Sequence, residues 1–222
     1  MTNRGRGRPP ARGAPALSTP DLLNAALDAF AERGFDGTSV RELARDLGVS
    51  HNLIPQRLGS KEQLWFAAVD HGFSALAVEL AQVLAEDGGG DDLTRLRALI
   101  VRFIEVNAKR PALLRIINQE ASAPGPRLDH LYNNFIDPVR EFGADLLSRL
   151  QASGQVRTDS VSLVYFLMTH GAGGPLALPG LAARFGYAID PTDEEAVHRH
   201  ALEATAVIFD GLIEVSPRDR HN

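Results

Sequence analysis

His51, Asn52, Gln56 and Arg57 fall within one short stretch of the chain. They carry an imidazole, two carboxamides and a guanidinium. Carboxamides and guanidinium groups form paired hydrogen bonds with planar edges of fixed donor and acceptor pattern, which is how base edges are read in a major groove. Leu53 lies among them as an apolar contact, and Ser50 precedes them. A second set is Arg6 and Arg8, within Arg6-Gly7-Arg8-Pro9. Arginines separated by small residues suit the narrow, strongly negative minor groove of A·T-rich DNA. The other reading of that segment is a basic tail that raises nonspecific affinity. A third set is Phe103, Asn118, Tyr132, Phe135, Phe166 and His170. A few polar groups among aromatics is the usual lining of a small-molecule pocket.

Catalytic and metal chemistry find no such pattern. There is no cysteine among the 222 residues, which excludes disulfides and thiolate sites. His198 and His200 stand about 200° apart around a helix and cannot share an ion on one face. No phosphate loop, nucleophile elbow or zinc-helix spacing occurs. The expectation is a protein that is not an enzyme and needs no cofactor.

The elements that must hold the first set are helices. Val40, Leu43, Ala44 and Leu47 make an apolar stripe at helical spacing. Ser39 and Glu42 form a capping box at its start, and Gly48 suits its end. Ser50 is the expected cap of the next helix, with Val49 and Ile54 as its hydrophobic staple. Helix, glycine turn, helix is a helix-turn-helix. Pro55 falls inside the second helix. Its missing N–H predicts distortion, or a later start.

The same stretch resembles the DNA-binding domain of the TetR family of bacterial transcriptional regulators. The matching segments are FAERGFDGTSV at 30–40, RELARDLGVS at 41–50 and SKEQL at 60–64. Pro55 replaces an aromatic residue usual in that family. The resemblance implies an all-α fold: a three-helix DNA-binding head, then a helical domain that binds an effector and dimerises through its last helices. It also implies repression of a palindromic operator. Under that reading Thr38, Ser39 and Lys61 contact phosphate, and Ser50, His51, Asn52, Leu53, Gln56 and Arg57 form the recognition surface. The alternative is a ligand-binding or protein-interaction dimer of the same fold with degenerate DNA recognition.

Charge fits that division. The formal net charge of −5 separates into +2 for residues 1–64 and −7 for 65–222. Local charge, not the total, governs attraction to phosphate. Expected boundaries are a disordered basic arm at 1–17, the head at 18–64 and the effector and dimerisation domain at 65–222. No uninterrupted apolar run approaches the roughly 18 residues that span a bilayer, so a cytoplasmic protein with no membrane partner is expected.

Further helices are expected from Thr19 to Gly34, Ser60 to Glu86, Leu93 to Ala108, Pro111 onward, Arg127 to Ala152 with a kink at Pro138, Asp159 to His170, and Thr192 to Glu214. Ser60 with Gln63 and Thr192 with Glu195 read as capping boxes. The face Val197, Ala201, Ala204, Ile208 and Leu212 is the expected dimer seam.

Overall fold

The computed structural model describes residues 17–86, 90–157 and 160–212. Arg6 and Arg8, and residues 1–16 of the expected arm, lie outside the described residues. Twelve helices run through the described part, and it contains no β-strand.

The head begins with α1, Thr19–Gly37, interrupted at Gly34, whose φ of 72° leaves the helical region. Ser18, one residue earlier than expected, caps it by accepting a bond from the Asp21 N–H. Helix α2 is Val40–Asp46, capped by Ser39. Helix α3 is Leu53–Leu58. Helix α4, Lys61–Glu86, opens with the full capping box: Ser60 Oγ accepts from the Gln63 N–H at 3.1 Å, and Gln63 Oε1 from the Ser60 N–H at 2.8 Å.

The remaining domain continues with α5, Asp92–Lys109, capped by Asp91, and α6, Pro111–Glu120, with proline in its first turn. Helix α7, Pro126–Leu131, passes through a π-helical segment, Tyr132–Ile136, into α8, Asp137–Ala152. Pro138 explains that segment. It has no N–H for the Asn134 carbonyl, and its ring crowds that oxygen. The ladder widens locally, with the Asp137 N–H bonded to the Tyr132 carbonyl. The predicted kink is thus realised as a π-bulge, which inserts extra backbone without ending the helix.

Helix α9, Val161–Phe166, runs into a second π segment, Leu167–Ala172. Two short helices follow, α10, Gly174–Ala177, and α11, Pro179–Arg184. Helix α12 is Glu194–Leu212. Its cap is Asp193, which accepts from the Ala196 N–H at 3.0 Å. The expected Thr192–Glu195 box is not formed, because Thr192 is held by Asp190 through both its N–H and its hydroxyl.

One continuous core runs from Leu22 in α1 to Phe209 in α12. Helix α4 is its axis, packed on α1, α3, α5 and α6. By length and composition alone Lys61–Gln82 is apolar enough for a bilayer. Here Leu64, Trp65, Ala68, Val69, Phe73, Leu76 and Leu80 are buried in the protein. Gly72 permits a close approach to α1 and α6: a Cβ there would come within 2.7 Å of Leu27 Cδ2 and 2.9 Å of Leu113 Cδ2.

The expected dimer seam needs correction. Val197, Ala201 and Ile208 are buried within this one chain, on the side of α12 that packs against α5. Among the described side chains of α12, the exposed large apolar ones are Leu202 and Val207, the latter 74% exposed. The 3.6-residue period finds a buried face but cannot say which neighbour buries it.

Candidate nucleic-acid interface and apolar chambers

Helix α3 is set by Pro55. The chain turns through Ser50–Asn52, where Ser50 Oγ accepts from the Asn52 N–H at 3.4 Å and the Ser50 carbonyl from the Leu53 N–H at 2.9 Å. Ser50 therefore closes a turn before the helix and does not cap it; Asn52 occupies the cap position with no side-chain bond. The first bond of the helix runs from the Gln56 N–H to the Asn52 carbonyl. Pro55 becomes the third helical residue, where an N–H has no intrahelical partner and its loss costs nothing. The later start allowed by the sequence is the one observed.

Ile54 is fully buried and anchors α3 to the head, while His51, Asn52, Gln56 and Arg57 are exposed and Leu53 is half-buried. Upstream, Gly48 has a φ of 66°, a conformation open to glycine at little cost. Arg57 Nη1 donates to the carbonyl of Leu17 at 3.0 Å. A guanidinium has five donors, so most remain available.

Thr38 is corrected. It is 2% exposed, and its hydroxyl lies 2.7 Å from the Gly34 carbonyl and 3.1 Å from the Ala29 carbonyl. It closes the end of α1 and cannot reach a phosphate. Ser39 is half-buried, and its hydroxyl accepts from the Glu42 N–H at 3.4 Å. Lys61 Nζ donates to the Asp36 carbonyl at 3.2 Å and sits 4.6 Å above the Phe35 ring, so the segment before α2 holds its ammonium.

The apolar set divides between two adjoining chambers. The inner one, about 110 Å³, is lined by Phe103 and Phe135 together with Phe73, Leu76 and Asn107. The outer one, about 430 Å³, is lined by Asn118, Tyr132, Phe166 and His170 together with Arg140. Ile117, Ile136 and Tyr165 line both. The outer volume falls within the roughly 300–1,000 Å³ usual for small-molecule sites. The π-bulge helps shape this region, since Tyr132, Phe135 and Ile136 all belong to it. Burial pushes the Tyr165 phenol up to about 12, so it stays a neutral hydroxyl. Arg140 is held at the rim by Asp137, whose oxygen is 2.6 Å from Nε.

Sequence reasoning missed Asn107, Arg140 and Tyr165. Asn107 carried a readable signal. It lies four residues after Phe103 on the buried face of α5, where its amide donates to the Phe103 carbonyl at 2.7 Å. Histidines found ordinary partners: His130 Nε2 lies 2.6 Å from Asp70, His198 Nδ1 2.6 Å from Glu105, and His200 Nε2 2.8 Å from the Ala172 carbonyl.

Comparison with known proteins agrees with this architecture. Residues 22–68 match the sequence model described as bacterial regulatory proteins, tetR family. The HTH-type transcriptional repressor Rv3405c of Mycobacterium tuberculosis is 38% identical over 74 residues, which cover 33% of this chain and only 37% of that protein. The HTH-type transcriptional repressor KstR2 of Mycolicibacterium smegmatis is 29% identical over 154 residues, 68% of this chain and 74% of that one. The solved structure of the ketosteroid transcriptional regulator KstR2 of M. tuberculosis superposes with a TM-score of 0.69 at 22% identity, covering 88% of this chain and 94% of that one. In its head this chain is thus similar by sequence to the tetR family of bacterial regulatory proteins, and over most of its length it shares the fold of the KstR2 regulator.

Proposed function

We propose that this protein is a dimeric, ligand-responsive transcriptional repressor that binds a palindromic operator. The observation that carries the DNA-binding part is the exposed row His51, Asn52, Gln56 and Arg57 on a short helix anchored by the buried Ile54. Ser39 and Lys61, at neighbouring helix starts, supply phosphate contacts. The ligand is a small, mostly apolar molecule with one or two polar groups. The lining supports that class: phenylalanines, leucines and isoleucines form most of the inner chamber, while Asn118, Tyr132, Tyr165, Arg140 and His170 bring polar groups to the outer one. Dimerisation is supported by exposed apolar side chains late in the chain, Leu163 and Phe166 on α9, Leu167 just after it, and Leu202 and Val207 on α12.

Selection of bound fragments from random DNA tests the reading. The expected result is a site of twofold symmetry, with half-sites about one helical turn, roughly 34–36 Å, apart. Equal, salt-dependent affinity for all sequences would favour the same fold without specific recognition. Sedimentation showing only monomer at micromolar concentration would remove the dimer.

A further inference from the structure

The two chambers differ in how they meet solvent. Phe73, Leu76, Leu80, Phe103 and Asn107 of the inner one are buried. Tyr132, Ser162, Phe166 and His170 of the outer one are exposed. Charge is found only at that wetter end. Among the described residues that line either chamber, none is a carboxylate, and Arg140, in the outer one, is the only lysine or arginine. Asp137 engages its Nε at 2.6 Å, and a guanidinium has four further donors on its two Nη atoms.

We propose that the ligand is an amphiphilic carboxylate, whose carboxylate pairs with Arg140 in the outer chamber and whose alkyl end enters the inner one. The inference rests on the ligand-binding reading above.

Geometry favours a carboxylate head. Two adjacent Nη groups match its two oxygens, and such charge-assisted pairs are the strong ones. A cationic head would meet Arg140 and no carboxylate on the lining. The reverse orientation is costly. A charge in the inner chamber would be desolvated with no counter-charge, and the Asn107 amide there already donates to the Phe103 carbonyl at 2.7 Å. Size limits the tail. A space of about 110 Å³ holds roughly four groups of water size, at about 30 Å³ each. Asp137 moderates the head site. The hydrogen bonds of Arg140 first, then of Tyr132, hold its carboxyl below the usual range. It stays ionised and offsets part of the arginine's charge.

The test measures calorimetric binding to the full-length protein of decanoate, decanol and decylamine, which share one tail. Decanoate should bind about tenfold tighter than decanol, the low end for a charge-assisted bond at a partly solvated rim. Decylamine should bind weakest. Arg140→Gln should bring decanoate down to the level of decanol. An unchanged decanol affinity is the control for folding. Asp137→Asn removes the competing charge and should tighten decanoate alone. From hexanoate to decanoate, affinity should rise by up to about fourfold per methylene buried. Val139→Phe, at a half-buried position on the inner wall, should flatten that rise.

Equal affinity for decanoate and decanol, a preference that survives Arg140→Gln, or decanoate weakened by Asp137→Asn would overturn the carboxylate head. A chain-length profile unchanged by Val139→Phe would overturn the placement of the tail. Binding of none of the probes would overturn the amphiphile. If decanoate binds as expected but leaves operator affinity unchanged, the ligand class stands and the ligand-responsive reading fails.

Discussion

The Gln119 side chain donates from Nε2 to the carbonyl oxygen of Ala31 at 2.8 Å, joining α6 to α1 across 88 residues of chain. Its neighbours Ile117, Asn118 and Ala121 line the outer chamber. A second link lies beside it. Glu120 accepts from Arg127 Nε at 2.8 Å, and the Arg127 guanidinium lies 4.1 Å over Phe35, in the segment that leads into α2. A shift of α6 on filling the chamber must therefore be felt at the end of α1 and at the start of the helix-turn-helix.

From this follows the prediction that Gln119→Ala uncouples the two sites. Any ligand found by thermal-shift screening should still bind, and the operator should still bind. The effect of one on the other should fall. A typical coupling of about 1–3 kcal/mol changes affinity roughly 5–150-fold, equally in both directions. Operator titrations with and without ligand measure it. An undiminished response would mean that coupling bypasses this hydrogen bond.

Thr38 should prove structural. Thr38→Val leaves the Ala29 and Gly34 carbonyls without their hydroxyl donor. A loss of about 1–3 kcal/mol is expected for an unsatisfied buried group. At this chain length that lowers the melting temperature by roughly 2–4 °C per kcal/mol. Operator affinity per folded molecule should not change. A selective loss of DNA binding with stability intact would return Thr38 to the interface.

Much of the head was legible because its signals are local. The Ser39 and Ser60 caps and the positive φ at Gly34 and Gly48 act within a few residues of sequence. What escaped was set by distant partners. Thr38 looked like a phosphate ligand because nothing in the sequence shows the Ala29 carbonyl nine residues back folding onto it. The α12 face looked like a dimer seam because α5, its true partner, lies about a hundred residues away. The chamber aromatics were found as candidates, but their division into two spaces depends on the π-bulge and on Tyr165, and periodicity encodes neither.

Pro55→Ala should fold and lose about 0.4–1 kcal/mol. At this position proline removes no intrahelical bond, and its advantage lies in restricting the unfolded chain. Denaturant melts of the two proteins measure the difference. A gain in stability would instead mean that alanine lets the helix extend toward Ser50 and form a bond that proline forbids. The operator selected by the variant would then differ from that of the parent at the positions facing His51 and Asn52.

Tyr165 gives the pH dependence a definite sign. Its phenol is raised from 10.0 to about 12 by burial alone. Between those values the folded protein holds a proton that the unfolded chain has lost, so stability falls as pH rises through this window. Tyr187 is also raised, by burial first and then by Glu203, and acts in the same direction. Absorbance titration of the three tyrosines should show a late step that Tyr165→Phe removes. The variant's stability should fall less steeply with pH over the same interval. Near neutral pH the hydroxyl keeps its proton on a residue that lines both chambers, and its deletion should weaken a ligand that accepts from it by about tenfold, near 1.4 kcal/mol. A Tyr165 that ionises near 10 with no late step would show water reaching the wall between the chambers, and the apolar ligand class would then have to be abandoned.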